Sequence, residues 1–122
     1  MSKTNKDIVL EFYEKVFNGW DLSCIDEYMH DDYKQHSPGV NDGKAGFLEF
    51  FENFIKKQPH VDVSKIIAED DLVCVFFKCS FSDGVIAKVF DMYRLSDGKL
   101  AEHWDCTMRV DNMETKHSNG QF

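Results

Sequence analysis

Two side chains near the end of the chain, His103 and Asp105, have the types and the spacing for proton chemistry. They lie in the stretch Ala101-Glu102-His103-Trp104-Asp105. Along an extended strand alternate side chains share a face, so an imidazole and a carboxylate project together while Glu102, Trp104 and Cys106 project from the other side. Aldol closure, enolisation and double-bond migration all need a base that takes a proton from carbon beside a carbonyl, and a donor that holds the oxygen as it gains charge. A histidine and a carboxylate can supply both.

The preceding segment, Val85 to Arg94, decides whether a third group joins them. A loop of Ser96-Asp97-Gly98, with Gly98 at the positive φ of a type I turn plus bulge, sets Leu95 against Lys99 and gathers Asp91 with His103 and Asp105. A two-residue Asp97-Gly98 loop reverses the parity and puts Asp91 on the face of Trp104. The first register is favoured, because it collects Phe90, Met92, Trp104, Cys106 and Met108 on one apolar face. Val89, Asp91, Tyr93, Ala101, His103, Asp105 and Thr107 are then left to line a cavity.

In that cavity Asp105 is the expected general base, and His103 the hydrogen-bonding partner that orients it or returns the proton. Asp91, His36 and Tyr33 are expected to touch the substrate or flank the mouth. The pair also has a purely structural use: a buried carboxylate without a partner costs several kcal/mol, so a neighbouring histidine is expected even where nothing is catalysed. His36, His103 and a carboxylate do not follow a recognised metal-ligand spacing, so no metal is expected.

The elements that position these groups read as helices first and strands second. Thr4 and Asp7 resemble a capping box, followed by Val9, Phe12, Tyr13, Val16, Phe17 and Trp20 at helical spacing up to Gly19. Asp21 to Met29 reads as a short second helix, and His30 to Gly39 as a polar segment stopped by Pro38 and Gly39. Asp42 is placed to cap a third helix carrying Phe47, Leu48, Phe50, Phe51, Phe54 and Ile55. Tyr13, Phe17 and Phe51 are the helix aromatics expected to reach the pocket, although an aromatic row on an amphipathic helix also serves as plain core. Val61 to Ala68, Leu72 to Phe81, Val85 to Arg94 and Lys99 to Arg109 read as consecutive antiparallel strands joined by short Asp/Gly-rich turns. The result is one α+β domain over residues 1–110, with residues 111–122 a polar tail.

Composition removes several function classes. With 14 Lys+Arg against 22 Asp+Glu the net charge is −8, which disfavours nucleic acid and anionic membranes as partners. No stretch has the length and apolarity of a membrane span or a signal peptide, and the four cysteines lack metal-type spacing. A cytoplasmic protein with reduced cysteines is the expectation. Phe90, Met92 and Trp104 on the face away from the cavity form an apolar patch that a second subunit is expected to cover, giving a homodimer.

Four pieces of sequence carry a family resemblance. Tyr33-Lys34-Gln35-His36-Ser37-Pro38, Asp42-Gly43-Lys44, Asp91-Met92-Tyr93-Arg94 and the hairpin Asp97-Gly98-Lys99…Glu102-His103-Trp104-Asp105, in this order of elements, resemble the SnoaL-like polyketide cyclases. The resemblance implies the nuclear transport factor 2-like fold, a cone of three N-terminal helices packed on a curved antiparallel sheet with a deep pocket between them. It also implies that His103 and Asp105 lie in that pocket, with Asp105 as the acid/base of a ring closure that uses no cofactor. The chain departs from the cyclases on the preceding strand, where Asp91 stands in place of a second pocket histidine. Three readings follow: an enzyme acting on a small apolar carbonyl compound, a pocket that binds such a molecule without changing it, and a dimeric interaction module.

Overall fold

The computed structural model describes residues 3–122, so the first two residues of the expected 1–110 domain lie outside it. Helix α1 spans Asn5–Phe12 and begins with the expected capping box, in which the Thr4 hydroxyl accepts from Asp7 N–H and the Asp7 carboxylate from Thr4 N–H. At Tyr13 the winding loosens into a π turn, Tyr13–Phe17, instead of continuing as α-helix to Gly19. Helix α2 is a single turn, Ile25–Tyr28, and α3 runs Gly43–Phe54 before a 3₁₀ turn at Ile55–Lys57. Asp42 does not cap α3 with its side chain; its carboxylate accepts from the backbone N–H of Gln35 instead.

Five strands, β1 (Met29–Gln35), β2 (His60–Glu69), β3 (Leu72–Ser80), β4 (Ile86–Ser96) and β5 (Lys99–Arg109), form one sheet in the order β1-β5-β4-β3-β2. The meander β2 to β5 is antiparallel as expected, but β1 corrects the rest of the picture. The polar segment after α2 is a strand, and it pairs parallel to β5 at the sheet edge. The sheet is therefore mixed.

The β4–β5 hairpin also differs from the favoured register. Ser96 pairs with Lys99, and Asp97 and Gly98 both take positive φ, which is the two-residue turn that alone would reverse the faces. A bulge reverses them back. Leu95 pairs with Leu100 and Arg94 with Glu102, so Ala101 is the extra residue, and Leu100 and Ala101 are buried in succession. Asp91 consequently stands opposite Asp105 and Tyr93 opposite His103.

Burial follows these faces. Val73, Val75, Phe77, Cys79, Ala87, Val89, Asp91, Tyr93 and His103 are buried on the inner face, under the helices, while Cys74, Phe76, Phe90, Met92, Trp104 and Cys106 look outward. The core is strongly aromatic. The Phe12 ring, fully buried, packs within about 6 Å of Tyr13, Phe17, Tyr28, Phe47 and Tyr93. Helix and sheet are also stitched by Asn18, whose side-chain amide donates to Val61 O (3.0 Å) and accepts from Val61 N–H (2.6 Å). Residues 111–122 contain no helix or strand, yet Phe122 returns to stack on Phe76 of the outer face, 5.9 Å between rings. No described helix is long and apolar enough to cross a membrane.

Phe12 ties α1, α2, α3 and β4 together. Replacing it by alanine is expected to lower the unfolding free energy by about 3–5 kcal/mol, read from chemical denaturation at constant m-value.

Candidate functional site

Between the inner sheet face and α3 lies a cavity of about 300 Å³. One part of its wall is apolar, with Phe17, Phe47, Phe50, Phe54, Phe77 and Phe81 prominent. The other part is polar and gathers Tyr33, Gln35, Asp91, Tyr93, His103, Asp105 and Thr107. The loop residues Ser37, Gly39 and Val40 complete the wall. Gly46 on α3 lets this loop close in, since a Cβ there would lie 1.9 Å from the carbonyl oxygen of Asn41.

Asp91 is only 6% exposed and is saturated with donors. The Tyr13 hydroxyl donates to Oδ2, and the Tyr93 hydroxyl lies 3.2 Å from the same oxygen and 2.9 Å from the Tyr13 hydroxyl. His103 Nε2 is 3.0 Å from Oδ1. The other ring nitrogen, Nδ1, is 2.7 Å from Gln35 Oε1, and the imidazole is stacked against Tyr93 at 4.8 Å and more loosely against Tyr33 at 6.2 Å. Asp105 differs sharply. It is half-buried on the cavity wall, and its carboxylate accepts one side-chain hydrogen bond, from Thr107 Oγ1 at 3.1 Å.

The expected residues are thus sorted by the structure. Asp91, His103, Asp105, Tyr33 and Phe17 line the cavity. The partner of His103 is Asp91, not Asp105, because the bulge sets Asp91 diagonally across from His103 while both ring nitrogens are taken by Asp91 and Gln35. Tyr13 stands behind the wall as a donor to Asp91, and Phe51 is a fully buried core residue. His36 is removed from the mouth altogether. It faces outward, stacks on Trp104 at 4.9 Å and bonds Glu102 at 2.7 Å, because it follows the inward-facing Gln35 on extended backbone. Gln35 is the residue the sequence reading missed. Its signal was present, since any strand that turns Tyr33 inward also turns Gln35 inward. Among the described residues no group of three His, Cys, Asp or Glu side chains is arranged to hold a metal ion.

The electrostatics keep the phenols protonated. Burial, then the negative charge of Asp91, raises Tyr13, Tyr33 and Tyr93 well above the ordinary tyrosine value, and burial with a hydrogen bond to Glu11 pushes Tyr28 up to about 12. Burial also pushes the cavity thiol of Cys79 up to about 12, leaving it a neutral wall group.

A mixed sheet with helices on one face, enclosing a cavity that is polar on one side and aromatic on the other, makes this an α+β domain built around an internal cavity. The SnoaL-like polyketide cyclase family model matches residues 7–115, and the chain belongs to that family. No curated protein matches it in sequence. Among solved structures, a candidate polyketide cyclase from Acidithiobacillus ferrooxidans superposes with a TM-score of 0.79 at 19% identity, covering 91% of this chain and 92% of that one. IdmH, a candidate polyketide cyclase from Streptomyces antibioticus, gives 0.72 at 21% identity over 86% and 92%. An NTF2-like protein from Cytophaga hutchinsonii gives 0.73 at 17% over 88% and 93%, so the fold is the NTF2-like one.

All four tyrosines carry raised values, so native protein should show no tyrosinate absorbance step near the ordinary value of about 10. The unfolded chain ionises there first. Stability is therefore fully present below pH about 10 and declines as pH rises beyond it, a decline that Tyr13→Phe should make shallower in alkaline denaturation.

Proposed function

We propose that this chain is a cofactor-free acid/base enzyme, of the aldol-cyclisation or isomerisation type, acting on a small and largely apolar carbonyl compound. The observation that carries the reading is the contrast between the two cavity carboxylates. Asp91 is fully engaged with Tyr13, Tyr93 and His103, whereas Asp105 accepts only from Thr107 and faces the same cavity. Asp105 is the group free to take a proton from carbon. His103, backed by Asp91, serves as the donor that meets the developing oxyanion or returns the proton, with Tyr33 beside it. The phenylalanine wall, including Phe17, holds the apolar body of the substrate against water.

Binding without chemistry is the second reading, since the same hydrogen bonds also satisfy a buried carboxylate in a passive pocket. Asp105→Asn separates the two. On a panel of small carbonyl compounds, turnover should fall about 10²–10⁴-fold with ligand binding retained, and a panel on which the unaltered protein turns over nothing leaves binding as the better account.

The partner we assign to the outer face is a second copy of this chain. Phe90, Met108 and Ile67 are 48%, 46% and 69% exposed there, a contiguous apolar character that isolated domains rarely leave uncovered. Four free cysteines support a reducing compartment such as the cytoplasm. Sedimentation should give a dimer for the unaltered protein and a monomer for Phe90→Glu; a concentration-independent monomer before mutation disposes of the assignment.

A further inference from the structure

The Gln35 side chain has a hydrogen-bond pattern that fixes more than its own position. Its Oε1 accepts from Ser37 N–H at 3.0 Å and from His36 N–H at 3.1 Å, the latter shared with His103 O at 3.0 Å. Two backbone donors converging on one amide atom identify that atom as the carbonyl oxygen, because an NH₂ group there would meet two donors with a third. The third neighbour of the same oxygen is His103 Nδ1, at 2.7 Å. A carbonyl oxygen cannot donate, so Nδ1 carries a proton.

That placement decides what lies on the other side of the ring. With Nδ1 protonated, a neutral imidazole presents a bare lone pair at Nε2, which is 3.0 Å from Asp91 Oδ1. Two lone pairs do not make a hydrogen bond, so a further proton lies between them. Tyr13 and Tyr93 crowd their hydroxyls onto the other oxygen of Asp91, favouring the carboxylate, and the rings of Tyr93 and Tyr33 stack on the imidazole, favouring the cation. The groups facing His103 are Gln35 and Tyr33 from β1, Asp91 and Tyr93 from β4, and Asp105 on its own strand, with Tyr13 behind Asp91.

We infer that Gln35 is a positioning residue, locking the Nδ1–H form of His103 so that the His103–Asp91 pair enters the reaction already holding the proton to be given. This deepens the acid/base reading above and rests on it for its catalytic meaning, but the proton location is a property of the unliganded chain. His103 is then the acid of the site, and Asp105 the only one of the three groups able to accept.

Nitrogen-detected NMR of the full chain, labelled at histidine and without any ligand, tests this. The unaltered protein should show His103 Nδ1 as a protonated nitrogen. In Gln35→Leu the acceptor is gone and the Nε2–H tautomer facing Asp91 takes over, so the Nδ1-protonated population should fall about ten- to a hundredfold. Gln35→Glu keeps an acceptor at that point and should restore the Nδ1–H signal, which separates positioning from mere packing. A wild-type spectrum with Nδ1 unprotonated, or a Gln35→Leu spectrum identical to wild type, overturns the inference; if Gln35→Leu does not fold, the wild-type and Gln35→Glu spectra decide it. None of these results depends on turnover, so a chain inactive on every substrate would sink the enzyme reading while leaving the proton assignment to stand or fall alone.

Discussion

The buried carboxylate of Asp91 is the constraint around which the inner face is arranged. A negative charge taken out of water costs several kcal/mol unless donors replace the water it loses. Here the donors come from three places in the chain: Tyr13 from the π turn after α1, Tyr93 from β4 and His103 from β5. The bonds from Tyr13 and His103 therefore also tie the π turn and β5 to β4. The π turn is part of this arrangement, since it begins at Tyr13 and carries three buried residues, Tyr13, Val16 and Phe17.

The sheet separates two kinds of surface, and two irregularities keep them separate. The Ala101 bulge cancels the face reversal of the two-residue Asp97-Gly98 turn, and without it Asp91 and His103 would look in opposite directions. On β2 a second break, between Val63 and Lys65, turns Ile66 inward and leaves Ile67 outside. Opposite Gln35 and its contact with His103, the outer surface carries His36 stacked on Trp104 and, through Glu102, linked to Arg94 at 2.9 Å. One residue of register separates the cavity wall from the exterior.

Much of this was legible in the sequence wherever periodicity was strict. Strands β3 and β4 alternate buried and more exposed positions over nine and eleven residues, and the faces expected for the β4–β5 hairpin are the observed ones, including the outward Phe90, Met92 and Trp104. Strand β1 was not legible, because Met29-His30-Asp31-Asp32-Tyr33-Lys34-Gln35 has only two buried apolar residues and a register break between Met29 and Lys34. Its charged composition suits an edge strand, which must discourage further pairing. Missing that strand produced the other errors: His36 was chosen for its chemistry with no parity to exclude it, and Gln35 was passed over. The hairpin register was right in its consequence and wrong in its cause, since a bulge at a buried alanine leaves no mark in composition.

Asp91 and Asp105 face each other across β4 and β5, a placement that sets two like charges opposite one another and is unfavourable when both are bare. The chain does not remove either carboxylate; it gives them different surroundings. Asp91 is enclosed by two phenols and an imidazole whose second nitrogen is pinned by Gln35, while Asp105 keeps one hydroxyl donor and an open side toward the cavity. The proton we infer at His103 would offset the negative charge of Asp91, reducing the repulsion felt by Asp105 without filling the space in front of it. Pairs of titratable groups divided in this way by their environment are how one pocket holds an acid and a base together. A passive binding site needs only the first half of the arrangement, and the acid/base role we propose rests on the second, the side of Asp105 that faces the cavity.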